Sequence, residues 1–183
     1  IMGSIIKVNE YKDFGNNAIM TSDGAGVITL NNDALKMAPV FSARKSGDTS
    51  ISDATATKIT FDTEIIDSNG AYSSDRFTVP SGYAGTYWIQ SQICCYGGAA
   101  NSLGTMQFLL YKNGSSLLYS YVDPYTSNQE QDGMITLQHV LDLVAGDYLE
   151  MYAYIDSTSG GSPVINGNPR QSIFSGYRIT GTT

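Results

Sequence analysis

Short runs in which apolar and polar positions alternate recur along the chain, each closed by glycine, asparagine or proline. The alternation is clearest over residues 148–155, where Leu149, Met151, Ala153 and Ile155 interleave with Tyr148, Glu150, Tyr152 and Tyr154. A period of two puts the first set on one face of a strand and the second set on the other. The aliphatic face suits a sandwich core, and the tyrosine face suits a second, partly polar contact. Comparable β-prone runs predict strands over residues 40–43, 58–62, 86–93, 105–111, 117–122, 134–140 and 172–179. Asn69-Gly70, Asn113-Gly114 and Asn166-Gly167 reach positive φ cheaply and so mark turns, and Asn113-Gly114 between two β runs is the cleanest hairpin signal. No capped helical segment stands out. The pattern predicts an antiparallel β-sandwich of about eight to ten strands.

The first 37 residues read differently. Ile5-Ile6-Lys7-Val8, Ile19-Met20 and Val27-Ile28-Thr29-Leu30 are β-prone, with turns expected at Phe14-Gly15-Asn16-Asn17 and Ser22-Asp23-Gly24-Ala25-Gly26. Few large apolar groups are present, so this segment makes a poor independent core. It is expected to gain burial from other copies of itself or from a larger particle. We therefore divide the chain into a β-rich attachment or spacer segment, 1–37, and a head, 38–183.

Composition narrows the function classes. Charged residues make up 15% of the 183 positions, well below the roughly 25% of a typical soluble domain. Glycine (19 residues) and tyrosine (13) are abundant, a composition of turns and strand surfaces rather than of helix faces. A net charge of −7 disfavours nucleic acid and anionic lipid as partners. No apolar stretch approaches the ~20 residues that span a bilayer as a helix. The opening Ile1-Met2-Gly3-Ser4 has no basic flank leading into an apolar core, so neither membrane insertion nor a secretory leader is expected. Cys94 and Cys95 are adjacent, and strand neighbours point to opposite faces, which favours two free thiols over a disulfide.

Several further segments, taken in order, resemble a known head. They are Pro39-Val40-Phe41-Ser42-Ala43-Arg44, Ile59-Thr60-Phe61-Asp62, Asn69-Gly70-Ala71-Tyr72, Phe77-Thr78-Val79-Pro80 and Gly85-Thr86-Tyr87-Trp88-Ile89. Leu110-Tyr111-Lys112-Asn113-Gly114, Leu143-Val144-Ala145-Gly146-Asp147-Tyr148-Leu149 and Phe174-Ser175-Gly176-Tyr177-Arg178-Ile179 complete the series. Residues from about 39 to 180 thus resemble the jelly-roll head shared by complement subcomponent C-one-q and tumour necrosis factor. Ser73 and Asp75-Arg76 depart from that family's pattern, and the Pro80-to-Gly85 loop is longer than in its animal members, as in microbial and phage ones. Ile6-Lys7-Val8, Thr21-Ser22-Asp23-Gly24 and Val27-Ile28-Thr29-Leu30 are similar to the openings of marine bacteriophage virion proteins. Together the two resemblances imply a homotrimeric jelly-roll head on a phage fibre, horn or similar appendage, located in the virion and assembled in the host cytoplasm. Its partners would be itself, other virion proteins through residues 1–37, and a host cell-surface glycan. The resemblance assigns Tyr87, Tyr148, Tyr152, Tyr154, Phe174 and Tyr177 to subunit contacts. A decoration protein anchored to capsid or tail by residues 1–37, and a bacterial extracellular lectin-like module, stay open as alternatives.

Candidate chemistry is sparse. His139 lies in an alternating strand pattern with no nucleophile elbow to partner it, and is expected to be a packed or surface residue. The carboxylate pairs Asp62/Glu64 and Glu130/Asp132 have glycosidase-like types but read as solvated edge or loop residues. No catalytic residue is assigned, and a glycan-cleaving enzyme is the weakest reading. No cofactor is expected. Calcium stays open, because Asp67-Ser68-Asn69-Gly70, or Asp123 near Asn128, would offer hard oxygen ligands, although the first is also an ordinary turn. For glycans, Tyr121, Tyr125 and Asn128 offer aromatic faces and an amide in one loop region.

Overall fold

The computed structural model describes residues 9–31, 38–123, 130–167 and 172–181. Three short strands, β1 (Glu10–Lys12), β2 (Ala18–Ser22) and β3 (Ile28–Leu30), form an antiparallel sheet in the order β1-β2-β3. Its turns fall where the sequence puts them. Asp13 accepts the Asn17 backbone N–H at 2.9 Å, and Asp23 Oδ1 accepts the N–H groups of Ala25 (2.7 Å) and Val27 (3.1 Å). Ile5, Ile6, Lys7 and Val8 lie outside the described residues.

The remaining strands are β4 (Val40–Arg44), β5 (Thr49–Ser50), β6 (Thr57–Lys58), β7 (Thr63–Asp67), β8 (Tyr72–Ser73), β9 (Arg76–Thr78), β10 (Gly85–Tyr96) and β11 (Leu103–Lys112). They continue with β12 (Ser115–Val122), β13 (Asp132–Leu143), β14 (Tyr148–Ser157), β15 (Val164–Asn166) and β16 (Ile173–Gly181). They make two antiparallel sheets. In the first, β10 is the spine: β13 flanks one side along its whole length, while β16 and then β15 flank the other. This sheet runs outward through β4 to β7 at one corner and through β5 at another. The second sheet has the order β12-β11-β14-β9-β8, with β6 pairing to β14. The antiparallel sandwich expected from the alternation is present, and no helix occurs among the described residues.

The core lies between the sheets. On β14 the aliphatic set Leu149, Met151, Ala153 and Ile155 is wholly buried, and the tyrosines face outward, as the period of two requires. Phe41 is the aromatic hub: Phe77 stacks on it at 4.4 Å between centroids, and Phe174 meets it edge-on at 4.8 Å. Gly176, on the strand beside it, is fixed by lack of space. A Cβ there would lie 2.6 Å from Ile89 Cδ1 and 2.8 Å from Phe41 Cε1.

The two cysteines are free and buried. Cys95 faces the core, with Sγ 3.0 Å from Met106 Sδ, and burial pushes its thiol up to about 12.

Candidate interaction surfaces

The six aromatic residues assigned to subunit contacts do not share a surface. Tyr87 and Phe174 are 0% exposed. Tyr87 packs on Phe77 at 5.5 Å and donates its hydroxyl to the Tyr83 carbonyl at 2.6 Å, while Phe174 packs among Phe41, Phe61 and Tyr72. Both sit at inward positions of their strands, so neither side chain reaches another subunit. The sequence expectation for these two is corrected: their bulk fills the monomer core. Burial also holds the Tyr87 phenol protonated, with its pKa pushed up to about 12.

Tyr177 points outward from the first sheet and belongs to a row that the strand register aligns across four strands. Val40 on β4 pairs with Tyr177 on β16, Tyr177 pairs with Trp88 on β10, and Trp88 pairs with Val140 on β13. The Trp88 and Tyr177 rings lie 5.4 Å apart. A shallow depression of about 340 Å³ beside them is lined by Ala38, Val40, Ser68 and Tyr177. Ile66, Met134, Val140 and Ile179 add exposed aliphatic surface on the same sheet. Sequence reasoning missed Trp88. Its place between the core residues Tyr87 and Ile89 would have needed the inward phase of β10 to read, and that phase follows from Tyr87, Ile89, Ser91 and Ile93 all being buried.

Tyr148, Tyr152 and Tyr154 lie on the opposite side of the molecule, on the outer face of the second sheet. Strand pairing brings Tyr119 to Leu109 and Leu109 to Tyr152, and Tyr121 to Gln107 and Gln107 to Tyr154. Tyr111 stacks on Tyr152 at 4.1 Å, and the Arg76 guanidinium lies 3.9 Å above the Tyr148 ring. Glu150 sits among these rings, 4% exposed, and accepts from Lys58 Nζ and from Arg76 Nη2, each at 2.8 Å. Burial raises its pKa, but the hydrogen bonds and charges of the two cations outweigh that and hold the carboxyl below its ordinary value. The cationic charge on this face is therefore largely met from within.

Of the glycan candidates, Tyr121 is exposed at the end of β12 and donates its hydroxyl to Asp123 Oδ2 at 2.9 Å. Tyr125 and Asn128 lie outside the described residues. The Asp67 turn does not fit calcium. Asp67 Oδ1 accepts the Ala71 N–H at 2.8 Å and Oδ2 accepts the Tyr72 N–H at 3.0 Å, so its oxygens face backbone donors. No cluster of three or more acidic, histidine or cysteine side chains suited to a metal occurs among the described residues.

His139 is exposed on β13, opposite Ile89. Asp62 accepts the Ser46 N–H and hydroxyl, both at 2.7 Å, and acts as a loop clasp; Glu64 is exposed on β7. Glu130 forms a backbone bridge to Leu103, and Asp132 begins β13.

No protein-family model and no curated protein matches the chain. Solved structures do. The globular domain of zebrafish complement 1qA protein aligns at TM-score 0.57 and 15% identity, over 79% of this chain and 99% of that one. The Eiger tumour necrosis factor from S. frugiperda aligns at 0.53 and 15%, over 79% and 96%. Murine APRIL aligns at 0.55 and 13%, over 76% and 98%. The fold is therefore the jelly roll of the complement and tumour-necrosis-factor heads.

Proposed function

We propose that this chain is a non-enzymatic, self-assembling head: a homotrimer whose subunits cover the outer face of the first sheet, carried on a virion appendage by residues 1–37 and used at the host surface. The observation that carries the assembly is the row Val40–Tyr177–Trp88–Val140. Aromatic and aliphatic side chains aligned on an uncovered sheet face match the composition of interface cores, which are rich in tryptophan and tyrosine. The opposite face has a different chemistry, tyrosines with internally paired charges, and stays outward in this arrangement. The jelly-roll fold supports the head, and the likeness of residues 6–30 to phage virion openings supports the setting.

Sedimentation tests the assembly. Wild-type protein should run as a trimer and Trp88→Glu as a folded monomer. A wild-type monomer, or a trimeric Trp88→Glu, overturns it. Antibody labelling of intact particles tests the setting, and failure to label any virion appendage overturns it.

A further inference from the structure

Between the two sheets, where β5 and β15 of the first face β6 of the second, lies a cavity of about 190 Å³. Its wall combines Ile51, Ile59 and Ile165, all buried, with Thr57, Thr60 and Lys45. Lys45 is the unusual member. It follows β4 directly, its backbone N–H is held by the Ser172 carbonyl at 2.9 Å, and the residue is only 2% exposed. A buried ammonium carries three donors, yet Nζ makes one long hydrogen bond, 3.4 Å to the Thr60 carbonyl. Lysine is almost never fully buried without close partners, so Nζ has donor capacity to offer a guest in the cavity that Lys45 lines.

The surrounding charges select what that is. Burial lowers the Lys45 pKa from its ordinary value, and Asp62, Asp75 and Asp48 offset part of that. Each of these is already tied to backbone: Asp62 to Ser46, Asp75 to the Phe61 N–H at 2.8 Å, and Asp48 to the Gly167 N–H at 2.9 Å. Their field stabilises the ammonium from a distance and opposes a second anion. The other lysine of the lining, Lys58, has its Nζ committed to Glu150 at 2.8 Å and to the Ser74 carbonyl at 2.9 Å. The guest therefore needs neutral acceptor oxygens for Lys45 on one side and an apolar face for the isoleucines on the other; the Thr57 hydroxyl already donates to the Thr55 carbonyl at 3.1 Å and can only accept. The volume, about 190 Å³, is below the ~300–1,000 Å³ of clefts for drug-sized ligands, which leaves room for one small ring.

We propose that this cavity binds a single neutral pyranose, with Lys45 donating to its ring or hydroxyl oxygens and Ile51, Ile59 and Ile165 covering its C–H face. The site deepens the surface-attachment reading by naming a ligand class, and rests on that reading only for its biological use. Sugar binding and assembly are read by different measurements, so either can fail alone.

Saturation-transfer NMR on the full chain tests it, with methyl glucoside, methyl galactoside and methyl mannoside as neutral probes and inorganic phosphate as the anionic one. At least one neutral probe should receive saturation. That signal should fall at least about five-fold in Lys45→Met, and equally in Ser50→Gln, which narrows the mouth from an exposed edge position and leaves the core untouched. Circular dichroism establishes that each variant is folded, and Ser50→Gln carries the test should Lys45→Met not fold. Transfer to none of the neutral probes, binding of phosphate alone, or neutral binding that persists in the folded variants overturns the proposal.

Discussion

Phe174 separates two kinds of aromatic residue that look alike in the sequence. As a subunit contact it would govern assembly; as a core ring touching Phe41, Phe61 and Tyr72 it governs stability. Phe174→Ala should therefore cost about 3–5 kcal/mol, the usual range for a truncated buried aromatic, read as a lower urea midpoint. Glu150 makes the complementary point for charge. Its folded pKa is depressed because Lys58 and Arg76 outweigh the burial that pushes it up. A depressed carboxyl contributes stability that is complete above its unfolded pKa and is lost as pH falls through the folded value. Stability should hold at neutral pH and decline below about pH 4, the ordinary range for glutamate. Glu150→Gln should cost about 2 kcal/mol at pH 7, as for a hydrogen bond to a charged group, and should flatten the acid limb of the midpoint-against-pH curve. An unchanged acid limb would show that the Lys58–Glu150–Arg76 cluster is not what titrates.

Among elements, the hairpin between β11 and β12 shows how a two-residue signal organises distant chain. Asn113 and Gly114 both adopt positive φ, 53° and 80°, as the Asn-Gly pair predicts. Asn113 then does more than turn: Nδ2 donates to Asp147 Oδ1 at 2.7 Å, and Oδ1 accepts the Tyr148 N–H at 2.9 Å. Lys112 reaches the other Asp147 oxygen at 2.8 Å, which clamps this hairpin to the β13–β14 turn. Asn113→Ala should lose about 1–2 kcal/mol from strained backbone and lost hydrogen bonds together, whereas Asn113→Asp should keep the turn but repel Asp147; urea midpoints of the two variants separate these contributions. Elements of this kind were legible because long strands repeat their alternation. The strands β10, β11, β13, β14 and β16 are each nine or more residues long, and every one overlaps a predicted run. Strands of two or three residues, such as β5, β8, β9 and β15, are too short to show a period and are defined by the partners they meet. The run expected over 58–62 contains only the end of β6, because Ile59 and Phe61 turn into the core between two strands. The candidate surfaces were harder still. A period of two says that Tyr152 and Leu149 face apart, but not that Tyr177 and Tyr152 end on opposite sheets, since that depends on which strands pair. Lys45 carried no sequence signal, because burial of a lysine is set by the chain folded over it.

At the scale of the whole molecule, the two parts of the chain differ in what covers their apolar groups. The head encloses its own aromatic core between two sheets. The small sheet of β1, β2 and β3 leaves Phe14, Tyr11, Val27 and Ile28 exposed, around a hollow of about 240 Å³ that Tyr11, Met20 and Ile28 help to line. An isolated sheet of three short strands with its apolar side open is marginal in water, and on the function proposed above its stability comes from a virion surface it docks on. The backbone hydrogen bonds of this sheet and its turns run within residues 9–31. Removing residues 1–37 should accordingly leave the urea midpoint of the head and its oligomeric state by sedimentation unchanged, because the enclosed core and the Trp88 row are built from residues 40 onward. The same deletion should abolish incorporation into particles, measured by immunoblot of purified virions, if these residues are the anchor. A truncated head that still enters virions would move the anchor to the head itself. A truncated head that unfolds at lower urea would show instead that the small sheet is packed on the head and stabilises it, and the division of the chain at residue 37 would then have to be withdrawn.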